Sequence, residues 1–125
     1  MKTKLAILLW SATHDRPELC ATPFIQAMAA TALDCQVEVH FSGRATRLLV
    51  AGVAEHLYPT EGGTKSIYVF MKEAAYMGAE FLACGMALQS YTQPGEVFIP
   101  EYAGNTTATD FVMRTLDPKW ATLVF

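Results

Sequence analysis

The sequence predicts an α/β fold, a single-domain three-layer sandwich with a mostly parallel central sheet. Short apolar runs alternate with segments of helical periodicity along the chain. Several of these runs are continuous, which is typical of parallel strands that helices cover on both faces. The 125 residues, 52% of them hydrophobic, suffice for one sizeable core but not for two ordinary domains. We therefore treat residues 1–125 as one domain.

The first apolar run, Lys4 to Trp10, predicts a buried strand. It is shorter than the apolar core of a secretory signal, and no small-x-small cleavage motif follows it. A loop from Ser11 to Thr22 comes next. An alanine-rich helix then covers Phe24 to Leu33, with Thr22 as its N-cap and Pro23 in its first turn.

The next segment predicts a second strand and a second helix. Val37, Val39 and Phe41 alternate with Glu38 and His40, so residues 36–41 form a strand. Because the alternate residues are polar, we expect one face of this strand to be more exposed. Apolar residues at helical spacing then predict a helix over residues 44–57, which Tyr58-Pro59 ends.

The second half of the chain predicts a helix, a strand, a short strand, another helix and a last strand. These elements cover Ser66 to Met77, Phe81 to Ala83, Gly95 to Pro100, Thr106 to Thr115 and Trp120 to Phe125. Gly78 ends the first of these helices. The alternation of strands and helices favours parallel pairing between successive strands.

Composition excludes some classes of function and favours others. The charged fraction of 17% is below the level of about 25% that soluble domains usually have, so we expect a homo-oligomer that hides apolar surface. The net charge is −3 and there is no run of Lys or Arg, which excludes a nucleic-acid partner. No segment approaches the roughly 18 apolar residues of a membrane span, so we expect a cytoplasmic protein without membrane contact.

The cysteines predict free thiols. Cys20, Cys35 and Cys84 are odd in number and lack CxxC spacing, which fits a reducing compartment better than a disulfide framework. A metal site stays open because histidines and cysteines are present, but no pair has the usual ligand spacing. The chain also lacks the GxSxG of a nucleophile elbow and the GxxxxGK[ST] of a phosphate loop, so we expect neither a metal nor a cofactor.

The stretch AEFLACGMALQS places Cys84 at the carboxyl end of a predicted strand. Ligands collect at this edge of parallel sheets. If the segment GMALQS, which begins with Gly85 and Met86, is helical, its free N–H groups favour a thiolate at Cys84 and stabilise a persulfide anion. The alternative is that Cys84 packs as a small buried side chain, as free cysteines often do.

The loop after the first strand emerges on the same edge and supplies candidate pocket residues. His14 could protonate a departing thiol, and Arg16 could hold an anionic substrate such as thiosulfate. Cys20 is a candidate resolving thiol, and Tyr91 is a candidate pocket or interface residue. The alternative is that His14 and Arg16 are solvated groups at a loop tip.

The run EFLACGMALQSY, the later IPEYAG and the terminal WATLVF resemble the DsrE/DsrF-like family, which includes the TusD-type sulfur-relay proteins. The resemblance implies a small cytoplasmic α/β sandwich that assembles into oligomers and carries sulfur as a cysteine persulfide on Cys84. It also implies a TusA-like sulfur carrier protein as partner. Two alternatives stay open: a structural or regulatory subunit with an inert Cys84, and a thiol redox sensor in which Cys84 pairs with Cys20.

Overall fold

The computed structural model describes residues 2–125, in which five strands form one sheet. The strands are β1 (Lys4–Leu9), β2 (Gln36–Phe41), β3 (Glu80–Cys84), β4 (Tyr102–Thr106) and β5 (Trp120–Val124). The α-helices are α1 (Ala21–Ala32), α2 (Ile67–Tyr76), α3 (Gly85–Tyr91) and α4 (Ala108–Leu116). The strand order is β4-β3-β2-β1-β5, and every neighbouring pair is parallel. The α/β single-domain prediction is confirmed, with a wholly parallel sheet.

One face of the sheet carries the hydrophobic core beneath α1 and α2. Phe24 of α1 packs against Phe41 of β2 and Phe81 of β3, and all three rings are fully buried. The ring centroids of Phe41 and Phe81 lie 5.3 Å apart in an edge-to-face arrangement. Each such buried ring stabilises the fold by roughly 1.5–3 kcal/mol relative to an exposed one.

The opposite face of the sheet lies beneath α4. Glu38 and His40 project toward this helix, since they alternate with the β2 residues that face the core. The prediction of a more exposed face on β2 is wrong, because Glu38 is only 6% exposed and His40 only 2%. The alternation was real, but α4 covers the polar side as well.

The prediction of a helix over residues 44–57 is wrong. The segment instead forms two short 3-10 helices, Gly43–Leu49 and Ala54–His56. Between them Val50 is extended and forms an antiparallel bridge with Phe98, and Gly52 has a φ of 93°. Both conformations interrupt an α-helix, and the bridge replaces its hydrogen bonds.

The short strand predicted at residues 95–100 is also misplaced. Only Phe98 pairs there, in the single bridge to Val50, and the sheet strand lies later, at β4. Gly104 and Asn105 are poor strand formers, so β4 gives little signal in the sequence. Its pairing with β3 supplies the stability that its composition lacks.

Different local features set the starts of α1 and α4. Cys20, not Thr22, is the N-cap of α1, because a 3-10 turn over Pro17–Leu19 leads directly into that helix. In contrast, α4 begins with a complete capping box, in which Thr107 and Asp110 exchange side-chain and backbone hydrogen bonds. This box fixes the start of α4 directly after β4.

Candidate functional site

Cys84 stands where β3 ends and α3 begins. It is the last residue of the strand and the N-cap of the helix, and it is half-buried. In the sheet it is the register partner of Thr106, the last residue of β4. Cys84 therefore lies at the carboxyl edge of the parallel sheet, as the sequence predicted.

A cavity of about 310 Å³ opens between this edge and α4. Its apolar wall consists of Leu8, Trp10, Phe41, Ala108, Phe111 and Val112. Its polar wall consists of Ser42, Thr106, Thr107, His40 and Cys84. Among the residues that the structure describes, His40 and Cys84 are the only titratable side chains in this wall.

His40 reaches across β3 to the vicinity of Cys84. It is the register partner of Leu82, two residues before Cys84, so both side chains project from the same face. Its Nδ1 lies 3.4 Å from the Oγ1 of Thr106, on the far side of β3. Since Thr106 is itself the neighbour of Cys84, the imidazole and the thiol border the same space.

A partly buried ion pair between Glu38 and Arg114 fixes the position of His40. Its Nε2 lies 2.9 Å from Oε1 of Glu38, and Arg114 of α4 contacts both Glu38 oxygens, Nε at 3.1 Å and Nη2 at 3.3 Å. Burial alone would raise the pKa of Glu38, but the hydrogen bonds from Arg114 and His40 outweigh it and lower that pKa. Glu38 is therefore a carboxylate at neutral pH.

The Glu38 carboxylate also fixes the tautomer of His40. An ionised carboxylate only accepts hydrogen bonds, so Nε2 of His40 carries the proton and donates it. In the neutral ring Nδ1 is then an acceptor, with the Oγ1 of Thr106 3.4 Å away, and His40 lines the cavity. The ring edge of Phe111, with centroids 5.4 Å apart, fixes the imidazole further. The arrangement provides an oriented proton acceptor beside a thiol.

The other candidate thiol lies in a different environment. Cys20 is fully buried in the core on the α1 side, and its Sγ donates to the carbonyl oxygen of Thr13 at 3.2 Å. Burial, with the nearby charges of Glu18 and Asp15, raises the pKa of Cys20 to about 12. Cys20 is thus held as a protonated thiol outside the cavity wall, which opposes a role as a second redox thiol.

His14, Arg16 and Tyr91 also lie outside the cavity wall. The buried Nδ1 of His14 has no hydrogen-bond partner among the described residues. Arg16 is exposed and pairs with Glu18 at 3.2 Å, and the carbonyl of Tyr91 accepts from Arg47. Their roles in a pocket stay predictions.

The two residues after Cys84 form the first turn of α3. Gly85 is half-buried, and Met86 is 80% exposed. Their predicted role in stabilising a persulfide stays a prediction. Cys35 lies just before β2, at the opposite edge of the sheet.

Sequence reasoning missed His40, Glu38, Arg114 and Thr106 as parts of the site. A histidine and a glutamate two residues apart on one strand face were the available signal, but the same alternation also indicates a solvent-facing side of a strand. Arg114 lies 76 positions after Glu38 in the chain, and only the position of α4 brings the two together. Among residues 2–125, no group of three or more His, Cys, Asp or Glu is arranged to hold a metal ion.

Comparison with known proteins defines the fold class. No family model and no curated protein matches the chain. Among solved structures, the YchN protein from E. coli superposes with a TM-score of 0.72 at 12% identity, over 100% of both chains. MTH1491 from Methanobacterium thermoautotrophicum, described as a protein of unknown function, gives a TM-score of 0.69 at 13% identity, over 99% of this chain and 100% of its own.

Both neighbours have the DsrE/DsrF-like fold, and the likeness covers the whole chain. The fold that the sequence resemblance implied is therefore confirmed. At this level of identity the likeness concerns the fold, and a function has to be argued from the site. No helix within the described part of the chain is both long enough and apolar enough to cross a bilayer.

Proposed function

We propose that this protein is a sulfur carrier or sulfurtransferase of the DsrE/DsrF-like, TusD-type family. Cys84 accepts sulfane sulfur as a persulfide and passes it to an acceptor thiol in a sulfur-relay or sulfur-oxidation pathway. The observation that carries the proposal is the presence of a half-buried Cys84 and an oriented His40 in the wall of one cavity. The shared fold agrees with it.

The proposed chemistry is thiol exchange at sulfur. His40 takes the proton of the Cys84 thiol at Nδ1, because Nε2 is committed to Glu38. The thiolate then attacks the outer sulfur of a sulfane donor, forming one S–S bond as another breaks. In unloading, an acceptor thiolate attacks the outer sulfur of the persulfide and Cys84 leaves as the thiolate. The exchange needs no net oxidant and no cofactor.

The proposal includes partners and a compartment. A TusA-like sulfur carrier would supply the acceptor thiol, small sulfur compounds would load the protein, and reducing cytoplasm would keep its thiols free. A homo-oligomer is also part of the proposal. Large apolar side chains such as Trp10, Met86 and Leu116 are exposed on the isolated chain, and assembly would cover them.

The test is the intact mass of the protein after incubation with a large excess of polysulfide, which loads a reactive thiol even where the cavity binds the donor weakly, with and without a later reductant. We expect a reducible gain of whole sulfur atoms in the native protein and in Cys20→Ser, and none in Cys84→Ser. Cys20→Ser is the matched control, since it removes a thiol that lies outside the cavity. An equal gain in Cys84→Ser would show that another thiol carries the sulfur. A gain in none of the three would favour an inert structural subunit.

A further inference from the structure

No lysine, arginine, aspartate or glutamate side chain lines the described part of the cavity beside Cys84. Arg114 lies close by but is bound to Glu38 behind His40. Arg16 pairs with Glu18, and Arg44 pairs with Asp15 at 3.0 Å.

This lack of a cation argues against small anions as ligands of the cavity. A dianion such as thiosulfate would lose its hydration on entry and gain no ion pair in return. The sequence suggested that Arg16 would hold such an anion, but Arg16 is exposed and lies outside the wall. The cavity therefore disfavours thiosulfate.

The wall favours apolar organic groups instead. Trp10, Phe111 and Val112 provide two aromatic surfaces and one aliphatic surface around the space that Cys84 borders. A volume of about 310 Å³ is at the lower end of the range for small-molecule sites. The polar groups, with Cys84 and His40 among them, can orient one end of such a ligand.

We propose that the cavity binds the apolar organic group R of a small hydropersulfide, R–S–SH, and so presents its terminal sulfur to Cys84. The inference rests on the proposed function and names its substrate class. Selectivity arises because the apolar group R is removed from water on binding, whereas thiosulfate carries two charges, has no apolar group and must be desolvated without compensation.

The transfer balances in atoms and electrons. His40 takes the Cys84 proton, and the thiolate attacks the terminal sulfur of R–S–SH. The Cys84 Sγ–S bond forms, the S–S bond of the donor breaks, and RS⁻ leaves with the electron pair. RS⁻ then takes the proton from His40, so that Cys84–SH and R–S–SH give Cys84–S–SH and R–SH.

The first test measures binding without sulfur transfer. Benzyl methyl sulfide is an apolar thioether with no transferable sulfur, so it probes the cavity alone. We expect it to slow the labelling of Cys84 by iodoacetamide in a saturable way and to leave the labelling of Cys35 unchanged. Cys35 is also half-buried but lies at the opposite edge of the sheet, which makes it an internal control. Equal slowing of both thiols, or of neither, would overturn the inference.

The second test compares donors and two matched variants. Loading rates on Cys84 from benzyl hydropersulfide and from thiosulfate are each divided by the rate of the same donor with free glutathione. We expect a normalised preference for benzyl hydropersulfide of at least about tenfold in the native protein. Val112→Arg places a cation in the wall and should reduce that preference. Met113→Arg should retain it, since Met113 is similarly exposed (58% against 52% for Val112) but lies outside the wall.

The outcomes separate the inference from the proposed function. If thiosulfate loads Cys84 as well as benzyl hydropersulfide does after normalisation, the inference fails while persulfide carriage stands. If Val112→Arg and Met113→Arg change the preference equally, the cavity is not its source and the inference fails. If no donor loads Cys84 at all, the proposed sulfur-carrier function fails, and the inference about its substrate class fails as well.

Discussion

The two faces of the sheet differ in chemistry. The face under α1 and α2 is filled by apolar side chains, with the rings of Phe24, Phe41 and Phe81 at its centre. The face under α4 buries Glu38 and His40 and leaves a cavity where the strands end. Buried polar groups cost stability unless they are paired, and a cavity lacks the van der Waals contacts of a filled core. The first face thus stabilises the fold, and the second has the features of a site.

Cys20 and Cys84, the two thiols near the carboxyl edge of the sheet, belong to different faces of it. Cys20 belongs to the apolar face, where burial raises its pKa to about 12. Cys84 belongs to the α4 face, where it is half-buried and borders the cavity. Both thiols precede a helix, so the local sequence does not distinguish them. Their surroundings in the folded protein distinguish the two thiols.

Phe24→Ala should have the largest effect, because it opens a cavity in the apolar face. The ring is fully buried between Phe41 and Phe81, so we expect a loss of about 3–5 kcal/mol in the free energy of unfolding. Urea denaturation measures it. A loss below about 1 kcal/mol would contradict the assignment of this face as the stabilising one.

His40→Gln should act mainly on reactivity. Glutamine has no basic ring nitrogen, so we expect Cys84 to react with iodoacetamide about 100-fold more slowly at pH 7, or about 2.7 kcal/mol in the barrier. His56→Gln is the control, since His56 is exposed in a 3-10 helix away from the cavity. Equal rates in both variants would remove His40 from the mechanism.

Arg114→Met should weaken the α4 face by a smaller amount that depends on pH. It removes the main hydrogen-bond partner of Glu38, so we expect a loss of about 1–3 kcal/mol at pH 7, reduced by the partial exposure of Arg114. The pKa of Glu38 is lowered in the folded protein, so its contribution is complete above the unfolded pKa of roughly 4.3. That contribution is lost as the pH falls through the folded pKa. Urea denaturation of both proteins at several pH values should therefore show their difference shrinking in acid, and a constant difference would contradict this account.

Thr107→Ala should have the smallest effect. It removes the side-chain acceptor of the α4 capping box, which is worth about 1 kcal/mol. Because Thr107 also lines the cavity, the protection of Cys84 by benzyl methyl sulfide should weaken as well. Thr31→Ala is the comparison, since Thr31 lies in α1 on the other face and only donates to the carbonyl of Met28. We expect Thr107→Ala to lower the free energy of unfolding more than Thr31→Ala does. The opposite order in urea denaturation would contradict the role of the capping box.

The sequence predicted what depends on local pattern. The continuous run of β1, the period of α2 and the position of Cys84 at the end of β3 were all correct, because each is encoded within a few residues. Segment 44–57 was not predicted correctly, because a bridge between Val50 and Phe98 competes with its helical periodicity.

The missed part of the site depends on long-range contacts. Glu38 and His40 look like the solvent face of an amphipathic strand until α4 covers them. The ion pair with Arg114 and the contact with Thr106 both join distant parts of the chain. Local sequence patterns carry no record of such pairs.

The most direct measurement of the central claim is the rate at which each thiol of the native protein reacts with iodoacetamide, resolved by peptide mapping. The account predicts that Cys84 labels much faster than Cys20, and that unfolding in urea brings the two rates together. Equal slow labelling of Cys84 and Cys20 in the native protein would contradict it, because Cys84 would then be a packed strand end without access to the cavity.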